Sequence, residues 1–270
     1  MRIDRVTTLM GKELREFRAS PTQLVPVVVL VAICTVLPFV VIVLVPRLTG
    51  QTLTSDKTFQ QVLSIARLRM PELAGLPAAV AAQVFLFQQF LLLYLMAPIL
   101  GAVSLAAYSV VGEKQGRTLE PLLTTPLSTA EILIAKVLAS FLPALVIEAI
   151  GLCLYFAMIA ALTLPGVLGS LLSLRTLLLV GLLGPFASLA ALQATIAVSA
   201  RVTDPRSAQQ VAILVIVPLI LMLAGQIAGA FFVTTTILFV LSLAMVAAWI
   251  VLILLSVALF ERETILTRWT

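Results

Sequence analysis

Histidine is absent from the 270 residues, which removes the side chain that titrates nearest neutrality and the commonest transition-metal ligand. Metalloenzymes and proteases built on histidine are thereby excluded. Cysteine is almost absent too: Cys34 and Cys153 fall inside apolar runs, without disulfide or metal spacing, and read as small core hydrophobes. Charge is scarce, at 11% of residues against roughly 25% in soluble domains, while 61% are hydrophobic. Such a chain is an integral membrane protein. The ~10-residue alternating segments of an outer-membrane barrel are missing, whereas several apolar runs reach the ~20 residues needed to cross hydrocarbon as helix. The fold class is therefore all-α. The net charge of +5 points to membrane orientation rather than to nucleic acid, because the cations flank the apolar runs.

Six spans are predicted: Leu24–Val45, Phe87–Val110, Ile132–Ala157, Leu177–Ala200, Val211–Phe232 and Ile237–Phe260. An even number sets both termini on one side. With the loops after the second and fourth spans, that side holds Arg2, Arg5, Lys12, Arg15, Arg18, Lys114, Arg117, Lys136, Arg201, Arg206, Arg262 and Arg268. The other side has Arg47, Lys57, Arg67, Arg69 and Arg175, and this 12-to-5 bias puts the termini in the cytoplasm. Ahead of the first span, Ile3, Val6, Leu9, Met10, Leu14 and Phe17 share one helical stripe, while Asp4, Lys12, Arg15 and Arg18 face elsewhere. Residues 1–20 therefore read as an interfacial amphipathic helix, broken from the span at Ser20-Pro21 and not a cleavable signal. Residues 46–86 form the one sizeable external segment, too short for a folded domain and suited to a short helix or cap. The whole of 1–270 is a single membrane domain.

Between the second and third spans lies a charged, turn-rich island at 112–128. Glu113 to Leu123 mixes charge with Leu119, Leu122 and Leu123, as in a short surface helix, and Gly112, Gly116, Pro121 and Pro126 limit its length. Ser128 followed by Glu131 matches a capping box at the start of the third span. On composition the island is either a solvated loop before a cap or a docking surface.

The residue order Glu113-Lys-Gln-Gly-Arg-Thr118-Leu119-Glu120-Pro-Leu122-Leu123-Thr-Thr125-Pro126-Leu-Ser128, with Glu131-Ile132 and Lys136, resembles the coupling segment of ABC-2 type transporter permeases. Lys12-Glu13-Leu14-Arg15-Glu16, Phe260-Glu-Arg262-Glu263 and Ala200-Arg201-Val-Thr-Asp204-Pro205-Arg206-Ser-Ala208-Gln209-Gln210 resemble that family's pattern at their own places. One departure is visible: many members have Gly directly before Thr-Leu-Glu, whereas here Arg117 intervenes and Gly116 is displaced. The large external domain of many drug-exporting relatives is also missing. The resemblance implies the membrane subunit of an ABC exporter in the bacterial cytoplasmic membrane, paired with a second permease as homodimer or heterodimer. It also implies two copies of a separate ATPase that carry the Mg-ATP. The chain itself lacks a Gly-x-x-x-x-Gly-Lys-Ser/Thr phosphate loop. Carried over residue by residue, Glu113, Arg117, Thr118, Leu119 and Glu120 fall at the ATPase interface, with Leu122, Leu123 and Pro126 in the same segment.

Within the spans, Glu148 is the sharpest feature. It lies about 18 Å of helix beyond Lys136, too far to pair with it, so that Lys136 is expected to snorkel to the interface. A carboxyl at that depth is either a pathway or proton-linked group, or a neutral acid bonded to a neighbouring helix. Gln88, Gln89, Tyr94, Gln193 and Gln226 either line a polar route or link helices. Pro98, Gly101, Gly181, Gly184-Pro185 and Pro218 are candidate breaks. Two other functions fit less of the sequence: an ion-coupled carrier using Glu148, and an assembly subunit that binds an ATPase without moving solute. No nucleophile and base constellation supports an enzyme, and no residue cluster supports a metal.

Overall fold

A computed structural model describes residues 3–19, 24–50, 53–118, 127–199 and 204–259. The described residues are helical, with no strand among them. Helix α1 (Ile3–Ala19) precedes α2 (Val25–Thr49), and a short α3 (Lys57–Arg69) leads to α4 (Ala78–Tyr94) and α5 (Met96–Gln115). Then come α6 (Thr129–Leu162), a one-turn α7 (Val167–Leu171), α8 (Leu174–Ser199), a one-turn α9 (Pro205–Gln209), α10 (Val211–Ile227) and α11 (Thr235–Leu259). Five helical stretches are long and apolar enough to cross a membrane: α2, α4–α5, α6, α8 and α11. The predicted fifth span coincides with α10, which has 17 residues.

Proline chemistry explains the interruptions. The second span runs from Ala78 to Glu113 and is broken at Leu95, where Pro98 can neither donate to the Tyr94 carbonyl nor avoid crowding it. In α2 and α8 the same conflict is absorbed by a widened π turn just ahead of the proline. Residues Val40–Leu44 precede Pro46 and Leu179–Leu183 precede Pro185, and the N–H groups of Val45 and Gly184 reach back to Val40 and Leu179. Gly184-Pro185 and Pro98 are thus true irregularities, whereas α6 and α10 run on through Pro143 and Pro218.

The second span is the centre of the bundle, with 78% of its apolar window buried, against 11% for α11. Its α4 half packs Phe85 and Phe87 among Phe39, Phe59, Tyr155 and Phe232 at ring separations of 5.2 to 6.2 Å, a geometry that favours tilted and edge contacts. The helix α3, within the segment predicted to be external, packs as a cap on this core. Asp56 accepts the Thr58 N–H at 2.7 Å to start α3, which buries Val62, Leu63 and Ala66 in that same core.

Candidate functional site

The end of the bundle that holds the candidate coupling segment is built from three helices. The capping box forms as predicted: the Glu131 N–H donates to Ser128 Oγ at 3.2 Å and the Ser128 N–H donates to Glu131 Oε2 at 2.9 Å. It fixes the entry into α6, so that Lys136 enters the bundle two turns later. Helix α1 lies along this entry, with Val6 and Leu9 against Ile132 and Ala135, and Phe17 against Leu105 and Ala139. The apolar stripe therefore faces α6 and α5, and Leu14 and Met10 lie at its half-buried edge.

On that stripe, one turn from both Leu9 and Phe17, sits a carboxylate. Glu13 is 1% exposed, and its Oε1 stands 2.8 Å from Lys136 Nζ while its Oε2 accepts the Ser109 hydroxyl at 2.7 Å. Lys136 is 3% exposed, so it does not snorkel; it donates to Glu13 and to Ser109 Oγ at 2.9 Å and pairs with Glu113 Oε2 at 2.8 Å. Its charge is better matched by two buried carboxylates than by water at the end of a bent side chain. Glu113 turns inward, 6% exposed, with its other oxygen 3.3 Å from Lys12, which also pairs with Glu16 one turn on. Burial pushes the Glu13 carboxyl up, but Lys136, Ser109 and Lys12 outweigh it and hold the group below its ordinary 4.5. Desolvation lowers the Lys12 ammonium, and Glu113 and Glu16 more than compensate, so it lies above its ordinary 10.5. One ion cluster thus ties α1, the end of α5 and the start of α6 together.

Immediately beyond Glu113, α5 ends in a left-handed turn. Arg117 has φ +53°, the Thr118 N–H reaches back to the Glu113 carbonyl at 2.9 Å, and the Gly116 N–H reaches that of Gly112 at 2.8 Å. Arg117 therefore occupies the C′ position of a Schellman-like ending, where a glycine is unstrained. The departure from the pattern, Arg117 where Gly precedes Thr-Leu-Glu, falls on this left-handed residue. Arg117 and Thr118 are exposed, whereas Leu119, Glu120, Leu122, Leu123 and Pro126 lie outside the described residues, as do Ser20-Pro21, Arg201 and Phe260 to Glu263. The turn before α10 starts from Asp204, which caps α9 through the Ser207 N–H at 3.2 Å; Gln209 donates to Ser104 on α5 at 3.3 Å.

The intramembrane candidates are all buried: Glu148, Gln88, Gln89, Tyr94, Gln193 and Gln226. Tyr94 is drawn toward Glu148, its hydroxyl 3.5 Å from the Glu148 backbone carbonyl and 3.4 Å from Thr35 Oγ1. That approach is allowed by Gly151, one turn beyond on α6, where a Cβ would strike the Tyr94 hydroxyl and Val31. Glu148 Oε2 and both amide atoms of Gln89 have no hydrogen-bond partner among the described residues. Gln88 and Gln226 are brought together through Arg175, which the charge count had placed in an external loop; it is 3% exposed in the first turn of α8.

Sequence reasoning missed Arg175, Ser109 and the inward turn of Glu13 and Glu113. For Glu13 a signal was present: an acid at the 3–4 spacing of Val6, Leu9 and Phe17 sits where only a paired charge is stable. Tyr155, whose hydroxyl donates to the Phe87 carbonyl at 2.9 Å amid Phe39, Phe87, Tyr94 and Phe156, carried no such signal. Among the described residues, no group of His, Cys, Asp and Glu is placed to hold a metal.

No curated protein matches the chain. The family model described as ABC-2 family transporter protein matches residues 7–240, from α1 through the first turns of α11. Multi-pass, built from apolar helices and matched over most of its length, the chain belongs to the ABC-2 transporter family and is a membrane permease of an ABC transporter, a subunit that works with an ABC ATPase.

Proposed function

We propose that the chain is one six-span half of an ATP-driven exporter, with α10 as the remaining span, both termini in the cytoplasm and α1 at the membrane interface. The subunit is non-catalytic, resides in the bacterial cytoplasmic membrane and pairs with a second permease, as homodimer or heterodimer. Two copies of a separate subunit bind and hydrolyse Mg-ATP. Residues 112–128 dock that subunit, with Leu119, Leu122 and Leu123 as apolar anchors, Arg117, Thr118 and Glu120 fixing register, and Pro126 ending the segment. Glu113 has a different part from the one its place in the motif implies: it is the segment's root in the bundle.

The observation that carries this reading is the ion cluster. Glu113 opens the coupling segment, and its carboxylate is shared between Lys136 of a full span and Lys12 of α1. A push on the segment is therefore passed to the foot of α6 through buried charges rather than through a slack loop. Farther along the same helix, Glu148 with Tyr94, and Gln88, Gln89 and Gln193 on α4 and α8, supply polar groups for a route through an otherwise apolar interior.

Copurification tests the docking. A partner ATPase is expected to accompany the wild-type chain, and L119A/E120K to weaken that association; unchanged ATPase binding in the double variant sinks the assignment of residues 112–128.

A further inference from the structure

The coupling reading leaves Arg175 unused. The residue stands behind the Ser173 cap of α8, 3% exposed, and its guanidinium reaches two other elements. One terminal nitrogen donates to Gln88 Oε1 on α4 at 3.4 Å, the other to Gln226 Oε1 at the end of α10 at 3.1 Å. No carboxylate among the described residues stands within ion-pairing distance of it; Glu72, in the turn Pro71–Leu73, acts on it only from farther out. A buried cation held by neutral oxygens keeps its whole charge in a poorly solvating place, an unfavourable arrangement until an anion pairs with it.

The two amides define what would complete the cluster. Each Oε1 accepts from the guanidinium, and that of Gln226 also accepts the Val233 N–H at 3.4 Å. Turning either amide over would set donor against donor, so the orientation is fixed by its neighbours. Gln88 Nε2 and Gln226 Nε2 are consequently forced to be donors, and both are buried with no acceptor among the described residues. The cluster therefore has one unneutralised positive charge and two amide groups with protons to give. A cationic ligand would add repulsion and an apolar one would leave every donor unmet. Water would fill the donors and leave the charge. A group that only accepts and carries negative charge answers both.

We propose that Arg175, Gln88 and Gln226 form an anion-recognition site, taking a phosphate or carboxylate group at the end of the bundle opposite the Ser128 capping box. The planar guanidinium still has N–H groups to offer, which suits the paired oxygens of either anion. The three residues come from α4, α8 and α10, so an anion bound among them also holds those three elements together.

The test uses the purified full chain without any ATPase, so its outcome is independent of the docking assignment. Thermal unfolding is followed while inorganic phosphate is titrated against chloride at matched ionic strength, and in nanodiscs of phosphatidylglycerol against phosphatidylcholine. A saturable rise in Tm with phosphate identifies a soluble anion, and a rise with phosphatidylglycerol alone identifies a lipid headgroup. In R175Q the apparent Kd is expected to weaken at least about tenfold, the scale of a lost charge-assisted hydrogen bond. Q226E guards against misfolding, because it sets a carboxylate against the guanidinium within the chain: its Tm is expected to equal or exceed that of wild type, and its response to added anion to disappear. Absence of a saturable response to either probe in wild type overturns the proposal, as does the same apparent Kd in wild type and Q226E.

Discussion

Replacing Lys136 with Met keeps the length of the side chain and removes the cation buried between Glu13 and Glu113. Two carboxylates, 1% and 6% exposed, are then left together, with half-exposed Lys12 as their remaining partner. Breaking a buried ion pair from one side costs roughly 3–5 kcal/mol, because the stranded charge is neither solvated nor neutralised. The loss should fall on the packing of α1 first, since α5 and α6 have extensive apolar contacts of their own in the bundle while α1 holds on through four buried side chains. Labelling of a single cysteine at Leu9, in a chain whose Cys34 and Cys153 are replaced, reads that opening directly. The expected acceleration at neutral pH is on the order of 10²- to 10³-fold. The pH dependence should also reverse. In wild type, Glu13 lies below 4.5, so its contribution is present above that value and is lost as pH falls past it. In K136M, burial without Lys136 raises the carboxyl, so α1 is held at acid pH and loosens as pH rises toward neutrality. An acceleration under about fivefold at neutral pH, or an unchanged pH dependence, refutes the idea that this cluster holds α1.

Three further outcomes follow from the same geometry. R117G relieves a left-handed residue and is expected to stabilise the chain by about 1 kcal/mol in denaturant unfolding; a loss would mean that Arg117 makes a contact worth more than its strain. S128A removes one half of the capping box and should cost about 1 kcal/mol, whereas S128D should be nearly neutral in the same unfolding assay. G151A drives a methyl into the Tyr94 hydroxyl and Val31, with an expected cost of roughly 1–3 kcal/mol; adding Y94F should return part of it, and strict additivity of the two variants by thermal unfolding would speak against the contact.

Much of the fold was legible because hydrophobic length and capping are local signals. The Ser128 and Glu131 pair marked the start of α6 to the residue, and the first, second, third, fourth and sixth predicted spans coincide, to within a few residues where the ends are described, with stretches long and apolar enough to cross, although the second helix begins well ahead of its predicted start. What was not legible depends on neighbours. The predicted second span opened at Phe87, yet its helix begins at Ala78, and Val80, Ala81, Ala82, Val84 and Phe85 of the added turns are buried in the main core. Lys136 was assigned to the interface for want of a partner in its own helix; the partners are on α1 and α5, more than a hundred residues and some twenty residues away in sequence. Arg175 was counted as a loop charge because the predicted fourth span opened at Leu177, whereas the helix begins at Leu174. A single sequence carries the periodicity of each helix, but not which two faces meet.

The central claim, that the chain couples to its ATPase through a segment rooted in the Glu13, Glu113 and Lys136 cluster, is tested most directly by ATP hydrolysis in proteoliposomes holding the permease and its partner ATPase. The permease is expected to change the hydrolysis rate of the ATPase, with L119A/E120K losing both binding and that effect. K136M should still copurify with the ATPase but fail to alter its rate. Hydrolysis indifferent to the presence of the permease, or K136M that couples as well as wild type, would contradict it.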